Sequence, residues 1–210
     1  MSASRLVNEF SCAMLGVAWL AAAAAAQETT RVSVDSSGVQ GDNFSFDVAL
    51  SIDGQFVAFE SYASTLVVGD TNGQEDVFVH DRLTGITERV NVDSSGAQAN
   101  DWSGLHGIPA ISDDGLVVAF SSLASNLVTG DTNRKSDVFV HDRSTGITER
   151  VSVDSSGAEG NGDSYFGYGP SMTPDGQIVA FESYASNLVA GDTNGFCDVF
   201  VRDRSTGTTE

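Results

Sequence analysis

Three copies of one segment constrain the fold of this 210-residue chain more than any other feature. Each copy starts with Gly-Asp-Thr-Asn and continues into Asp-Val-Phe-Val, and the copies begin at Gly69, Gly130 and Gly191, 61 residues apart. A repeat of this length is typical of one supersecondary unit stacked in series, in which each unit packs mainly against its neighbours. The spacing therefore predicts a repeat protein with three units of about 61 residues.

The first unit is shorter than the other two. Arg31 and Arg89 are 58 residues apart, whereas Arg89 and Arg150 are 61 residues apart, and the deficit falls between Asp35 and Asp53. A connection that loses three residues while its flanks stay intact is expected to lie on the surface.

Each unit can be divided into four short strands separated by turns. In the second unit we predict strands at residues 109–112, 116–122, 137–142 and 147–153. The second of these is apolar on both alternating faces, which indicates burial on both sides, and the fourth alternates as a half-exposed strand does. Asp-Gly and Ser-Thr-Gly turns join them. Four antiparallel strands per unit predict an all-β fold of propeller blades.

Two motifs in each unit resemble a known repeat family. The segments SIDGQFVAFES, SDDGLVVAFSS and TPDGQIVAFES, each followed by DVFVHDR or DVFVRDR, resemble the PD40 (WD40-like) repeats of TolB-like β-propellers. That family has Ser-Pro-Asp-Gly before an apolar strand; here only Pro174 keeps the proline, and Ile52 and Asp113 replace it. The resemblance covers residues 31–210 and implies four-stranded antiparallel blades at about 47–93, 108–154 and 169–210.

The number of blades raises a separate question, because closed propellers usually have 4–8 of them. The third copy reaches Glu210 within its fourth strand, and residues 29–35 near the N-terminus match the strand that would follow. We expect the three blades to belong to a six-bladed ring. A longer protein of which this chain is the front is the favoured form, and a homodimer closed through open blade edges is the alternative.

The N-terminus has the pattern of a secretory signal peptide. Residues 12–26 carry no charge and end in six alanines, with an Ala-x-Ala exit at Ala24 and Ala26. The alternative is a membrane anchor, but such a short stretch falls below the roughly 20 residues that span a bilayer. We predict a signal peptide at residues 1–26, a mature chain of residues 27–210 without a membrane span, and an extracytoplasmic location: periplasmic, secreted or cell surface.

The strongly acidic composition limits the possible partners. The formal net charge is −19, and only 10 residues are Lys or Arg. Nucleic acids and acidic membrane surfaces would be repelled, so neither is an expected partner. Acidic excess suits cation binding, a salty medium or solubility. The mature chain would keep one cysteine, Cys197, which excludes an intrachain disulfide there.

The Asp-Thr-Asn-Gly segments are candidate calcium loops. Oxygen-bearing side chains recur at positions 1, 3 and 7 of each segment, a pattern that supplies the ligands a hard cation prefers. The candidate metal ligands are Asp70, Asn72, Asp76, Asp131, Asn133, Asp137, Asp192, Asn194 and Asp198. The alternative is a tight turn in which these oxygens bind the backbone. Arg134 and Lys135 place positive charge beside the second site and weaken the case for it.

The connections before each first strand vary between the copies, and they contain aromatic residues. Variable loops on a repeated scaffold commonly carry binding functions, and aromatics among Asn, Asp and Gly suit a protein or carbohydrate ligand. The alternative is that these rings wedge between blades as core. The candidate ligand-binding residues are Phe44, Trp102, His106, Tyr165 and Tyr168.

No catalytic residue is predicted. The chain has neither Gly-x-Ser-x-Gly nor His-Glu-x-x-His. His80 and His141 correspond to Arg202 in the third copy, which favours outward polar side chains, and Cys197 is expected to be an exposed thiol. We predict an exported, non-catalytic propeller for binding or scaffolding. The alternative is the accessory propeller of a secreted hydrolase or peptidase whose catalytic domain lies beyond Glu210.

Overall fold

A computed structural model of the chain describes residues 28–104, 107–164 and 168–210. Arg31–Glu210 form one compact unit, and the strands and contacts below all belong to it. The predicted signal peptide at residues 1–26 lies outside the described residues. In the part of the chain that is described, no helix has the length and apolar character needed to cross a membrane.

Twelve strands form three four-stranded antiparallel sheets, each ordered as the strands occur in the sequence. The first sheet contains β1 (Ser45–Leu50), β2 (Phe56–Ser61), β3 (Asp76–Asp81) and β4 (Thr87–Arg89). The second contains β5 (Ala110–Ile111), β6 (Val117–Ser122), β7 (Asp137–Asp142) and β8 (Ile147–Arg150). The third contains β9 (Ser171–Met172), β10 (Ile178–Ser183), β11 (Asp198–Asp203) and β12 (Thr208–Thr209). The prediction of an all-β fold with four-stranded blades is confirmed.

The blades pack face to face through the two sides of their third strands. Val77 and Val79 of β3 share a core with Phe120 and Phe139 of the second blade. In the same way, Val138 and Val140 of β7 share a core with Phe181 and Phe200 of the third. Burial of each phenylalanine contributes roughly 1.5–3 kcal/mol, so each interface contributes several kcal/mol to the stability of the stack.

The first strands of successive blades lie beside one another, since β1 contacts β5 and β5 contacts β9. The first strand of each sheet is therefore innermost and the fourth outermost. This is the arrangement of propeller blades around a common centre.

The outer strand is shorter than predicted. β8 ends at Arg150, and Val151, Ser152 and Val153 are buried outside the sheet, so the prediction of a half-exposed strand through residue 153 is wrong. These residues carry the chain over to the next blade, where the Thr209 hydroxyl donates a hydrogen bond of 2.6 Å to the Val153 carbonyl. The crossing is buried because a blade lies on each side of it.

The three-residue difference between the units lies at the inner end of the blade. Ser103 pairs with Ser122 and Ala110 with Ala119, so the longer second copy places its extra residues between Ser103 and Ala110. In this loop Gly107 and Pro109 are buried. The expected surface connection is therefore partly an interior one.

This inner loop meets its counterpart in the third blade. Gly169 has φ of +71°, and a Cβ placed there would come within 2.0 Å of the Ile108 carbonyl oxygen. Only glycine fits such an approach, because the position combines a left-handed backbone with a backbone contact.

One residue of the second unit adopts a left-handed backbone conformation at a position where the other two units have glycine. Arg134 has φ of 59°, where Gly73 and Gly195 have 64° and 71°. The conformation costs a non-glycine residue about 1–2 kcal/mol.

We expect Arg134→Gly to stabilise the protein, because the change removes the backbone strain. The larger backbone entropy that glycine loses on folding offsets only part of this gain. The net gain should be about 0.5–1 kcal/mol, or about 1–4 °C in Tm for a chain of this size. Thermal unfolding followed by circular dichroism measures it. Gly73→Arg is the matched reverse change and should lower Tm. An unchanged or lower Tm in Arg134→Gly would contradict the strain argument.

Candidate binding rim and charged loops

The Asp-Thr-Asn-Gly segments fold as side-chain-capped turns. The Asn72 Oδ1 accepts a hydrogen bond of 2.9 Å from the backbone N–H of Gln74. The equivalent bond from Lys135 to Asn133 measures 2.8 Å, and the one from Phe196 to Asn194 measures 2.7 Å. In all three loops the asparagine oxygen is therefore used by the backbone, as in an Asx turn.

The acids of the first two loops converge on an arginine. Arg89 Nη1 lies 3.5 Å from Asp70 and 3.3 Å from Asp76, and the Asn72 amide donates to Asp76 at 3.0 Å. In the second loop Arg150 lies 3.4 Å from Asp131 and 3.1 Å from Asp137. In each of these two loops, the positive charge between the acids is therefore a guanidinium group from the outer strand of the same blade.

Burial and a neighbouring acid raise the pKa of the first aspartate in each of these two loops. Burial and the charge of Asp76 raise the pKa of Asp70 to about 6, and burial and Asp137 raise the pKa of Asp131 to about 6. Each arginine opposes that rise, because it stabilises the ionised carboxylates.

The third loop has the same acids without the arginine. Asn194 donates to Asp198 at 2.8 Å, but among the described residues no basic side chain lies within 4.0 Å of Asp192 or Asp198. The described part of the chain contains no group of three or more His, Cys, Asp or Glu side chains placed to hold a metal. Calcium binding stays a prediction. It fits the third loop best, since a cation would have to displace an arginine in the other two.

If calcium binds the third loop, adding calcium should raise Tm and a chelator should reverse the rise, because a ligand that binds only the folded state stabilises it. Asp192→Ala should abolish the response, whereas Asp131→Ala should leave it intact. Differential scanning calorimetry with calcium and with chelator measures both variants. If the Tm of the wild-type protein does not change with calcium, the third loop is a turn and does not bind calcium.

The two strand histidines are buried, so the prediction of outward polar side chains is wrong. His80 and His141 are only 6% and 7% exposed, and burial lowers the pKa of both imidazoles. The His141 Nδ1 lies 2.8 Å from the Thr148 Oγ1, which itself donates at 2.5 Å to the Val92 carbonyl. Because the threonine proton goes to the carbonyl, the imidazole is the donor to the hydroxyl.

The third blade explains why arginine replaces histidine there. Arg202 Nη1 donates at 3.0 Å to the Thr209 hydroxyl, which in turn donates to the Val153 carbonyl. Both residue types therefore supply the same N–H donor to the threonine that holds the incoming segment. A structural role accounts for these histidines.

An aromatic rim occupies the end of the blades where the second strands finish and the first strands begin. It consists of two repeat positions. Phe44 and Trp102 occupy the first, where the third blade has Asp163, and Tyr62, Leu123 and Tyr184 occupy the second. Phe44 is 77% exposed and Trp102 is 42% exposed. The Trp102 carbonyl accepts hydrogen bonds from the Leu123 N–H at 2.9 Å and from the Ser122 hydroxyl at 3.0 Å. The backbone is thus fixed while the rings of Phe44 and Trp102 face solvent.

One further predicted ligand-binding residue, Tyr168, lies in the inner loop that precedes the third blade. Tyr168 is 79% exposed, whereas His106 and Tyr165 lie outside the described residues. Solvent-facing Phe44, Trp102 and Tyr168 do not wedge between blades, so the core alternative does not hold for these three.

A surface pocket repeats at the outer edge of each blade. In the second blade it has a volume of about 600 Å³ and lies between the Asp93–Ser94 turn and the loop at Ser125 and Asn126. Two of the pocket's polar side chains are already hydrogen-bonded. The Ser94 hydroxyl accepts from the Thr148 N–H at 3.0 Å, and the Asn126 amide donates to the Gln98 carbonyl at 2.8 Å. These bonds lock the crossing segment onto the next blade.

The first blade contains a pair of buried carboxyl groups that the sequence pattern does not predict. Glu60 and Glu75 are both fully buried and lie beside each other, and no basic side chain of the described residues lies within 4.0 Å of either carboxyl group. Burial, followed by the neighbouring Glu75, raises the pKa of Glu60 well above its usual range. Burial and Glu75 also raise the pKa of Tyr62 to about 12. Glu60 is therefore protonated at neutral pH.

The other blades fill these two positions differently. The second blade has Ser121 and Ser136, and the third has Glu182 and Cys197. Cys197 is half-buried instead of fully exposed, and burial raises the pKa of its thiol. No motif marks the Glu60–Glu75 pair; the one available signal was a glutamate in an otherwise apolar strand where the second repeat has serine.

Glu60→Gln should stabilise the protein at neutral pH and have less effect in acid. The pKa of Glu60 is raised in the folded state. Above the ordinary glutamate pKa of about 4.3, the unfolded chain therefore releases a proton that the folded chain keeps. The stability of the wild-type protein falls as the pH rises from that value. We expect a gain of about 1–3 kcal/mol at neutral pH.

Urea unfolding of wild type and Glu60→Gln across this pH range provides the measurement. Glu182→Gln is the matched control, because it occupies the same repeat position but is partly exposed, and its effect should be smaller. A pH-independent difference between Glu60→Gln and wild type would show that folding does not raise the pKa of Glu60.

Neither a family model nor a curated protein matches the chain. Solved structures of similar fold include TolB from Acinetobacter baumannii, with 21% identity and a TM-score of 0.46 over 80% of this chain and 32% of that one. They also include a putative TolB from Agrobacterium tumefaciens, with 15% identity and a TM-score of 0.47 over 78% of this chain and 44% of that one.

The β-propeller domain of the Trilobed protease from Pyrococcus furiosus is similar at 13% identity, with a TM-score of 0.49 over 80% of this chain and 42% of that one. The chain thus spans less than half the length of these structures. The chain forms three sheets that repeat in sequence and pack in order, with their first strands innermost. This arrangement identifies the chain as a series of β-propeller blades resembling those of TolB-like propellers.

Proposed function

We propose that this chain is an exported, non-catalytic propeller module that binds a protein partner through its aromatic rim. The observation that carries the proposal is the exposure of Phe44 and Trp102 at equivalent positions of two blades. Large rings held out into solvent by a hydrogen-bonded backbone are the residues that dominate protein interfaces when they are covered.

The charge of the chain favours one class of ligand over another. With a net charge of −19, the protein attracts basic surfaces and repels anionic polymers. A peptide or protein surface with positive charge beside an apolar patch complements both the aromatic rings and the negative electrostatic field of this protein. A neutral carbohydrate would use the rings alone, so it is the alternative for the same rim.

Export is part of this proposal and rests on the sequence at residues 12–26. The second candidate, an accessory propeller in a secreted hydrolase or peptidase, has the same fold and the same rim. Reading the gene beyond the codon for Glu210 separates the two, because a downstream catalytic domain would assign the rim to substrate or domain contacts.

Trp102→Ala should weaken ligand binding and cost little stability. A fully buried aromatic truncated to alanine loses about 3–5 kcal/mol, whereas a ring this exposed should lose much less. Trp102 is the only tryptophan after residue 26, so its fluorescence reports directly on the rim in the predicted mature chain. Titration of short basic peptides containing apolar residues should shift its emission.

Phe120→Ala is the matched control, since that ring is fully buried and its loss should destabilise the blades strongly. A large fall in Tm for Trp102→Ala would place the ring in the core. Emission that responds only to neutral oligosaccharides would assign the rim to carbohydrate, and emission that responds to neither class would refute the rim as a binding surface.

A further inference from the structure

The Glu60–Glu75 pair lies at the boundary between the first two blades, next to the rim. The Ser103 N–H of the second blade donates to the Glu75 carbonyl at 3.0 Å. A Cβ placed on Gly104 would come within 2.3 Å of the Glu60 carboxyl carbon, so this carboxyl group lies against the backbone of the second blade. The first two blades therefore form the surroundings of the pair.

Tyr62 connects the acid pair to the aromatic rim. Its N–H donates to the Phe44 carbonyl at 3.0 Å, and its ring centre lies 5.7 Å from that of Phe46. Burial and the neighbouring Glu75 raise the pKa of the Tyr62 hydroxyl to about 12, so the phenol is neutral at physiological pH. The negative charge of the pair is thus felt at the rim next to a neutral aromatic ring.

The charge at this boundary has no counter-charge in the described part of the chain. No basic side chain of the described residues lies within 4.0 Å of either glutamate. Burial and Glu75 are the main causes that raise the pKa of Glu60, and the charge of Asp47, on the bulge of β1, is a further one. Solvent screens buried charges less than exposed ones, so the attraction for a cation at the rim is strong and local.

The boundary between the second and third blades distributes charge differently. Ser121 and Ser136 occupy the two glutamate positions. The Lys135 Nζ lies 3.2 Å from the Asp163 carboxylate at the rim, whereas the first boundary has Gln74 at the lysine position. Among the described residues, the second boundary thus carries a cation of the chain itself beside serines, and the first carries buried acids with a glutamine in place of the cation.

We propose that the rim at the first boundary, flanked by Tyr62 and Trp102, binds a lysine or arginine side chain of the protein partner. The inference rests on the proposed function of the rim and names the chemical group that the partner places there. The aromatic rings contact the aliphatic stem and the charged head of that side chain, and the buried acids supply the attraction. Apolar residues of the partner contact the rest of the rim.

Two matched peptides test this subsite in the predicted mature chain, which contains the compact unit Arg31–Glu210. One is a capped peptide with leucines around a single lysine; in the other, norleucine replaces the lysine and keeps its aliphatic chain without the charge. Titrations followed by Trp102 emission give both Kd values. We expect the lysine peptide to bind about tenfold more tightly. The preference should persist in about 1 M salt, where exposed charges are screened beyond about 3 Å.

Removal of the buried charge should abolish the preference. Glu60→Gln and Glu75→Gln combined in one chain keep the shape of both side chains, and the two Kd values should then agree within about twofold. Gln74→Lys introduces the lysine of the second boundary and should also weaken binding of the lysine peptide, because the chain's own cation competes. Glu182→Gln is the matched control: it removes a charge at the same repeat position of the third blade and should retain the preference.

The norleucine peptide reports whether the rim is intact, since its affinity should not change in any of these variants. If neither peptide alters the Trp102 emission of the wild-type protein, the proposed function is wrong and this inference fails with it. If both peptides bind equally well, the rim is a binding surface without a cation subsite. A lysine preference that disappears at high salt, or that survives in the double glutamine variant, would come from the overall charge and would overturn the inference alone.

Discussion

The Asp-Val-Phe-Val strand sets the architecture because its two faces pack against different blades. The valines of β3 and β7 cover the following blade, while Phe139 and Phe200 of β7 and β11 pack against the preceding one. Side chains alternate across a strand, so a single four-residue sequence specifies both interfaces. Repetition of that sequence stacks the sheets in one order and one direction.

Covalent connection strengthens this packing at the outer edge. The segment that enters each blade passes its outer edge, and a threonine hydroxyl of that blade donates a hydrogen bond to a carbonyl of the segment. The carbonyls belong to Val34 before the first blade and to Val92 and Val153 at the two crossings between blades. Histidine or arginine then donates to the threonine. Buried polar groups need partners, and this relay supplies one to each carbonyl at the crossing.

Positions that do not contribute to stacking are free to differ, and they lie at the ends of the strands. The aromatic rim and the inner loops fall in this class, which is consistent with a scaffold that carries a binding surface. The Glu60–Glu75 pair departs from the same logic. It places two adjacent carboxyl groups without a basic partner inside one blade, where the second blade has serines, and we expect this to lower the stability of that blade at neutral pH.

The sequence by itself determined the repeat and the four strands of each blade, because strand periodicity and turn residues are local signals. It left the exposure of Phe44 and Trp102 open, because aromatic residues in variable loops suit either a ligand or the core between blades. Only the tertiary structure decided what the charged and polar residues do. Asp70 and Asp76 meet Arg89, and His80 turns inward to a threonine, because sheet register brings together residues that are distant in the chain. Such contacts depend on which strand lies beside which, and spacing along the sequence does not record it.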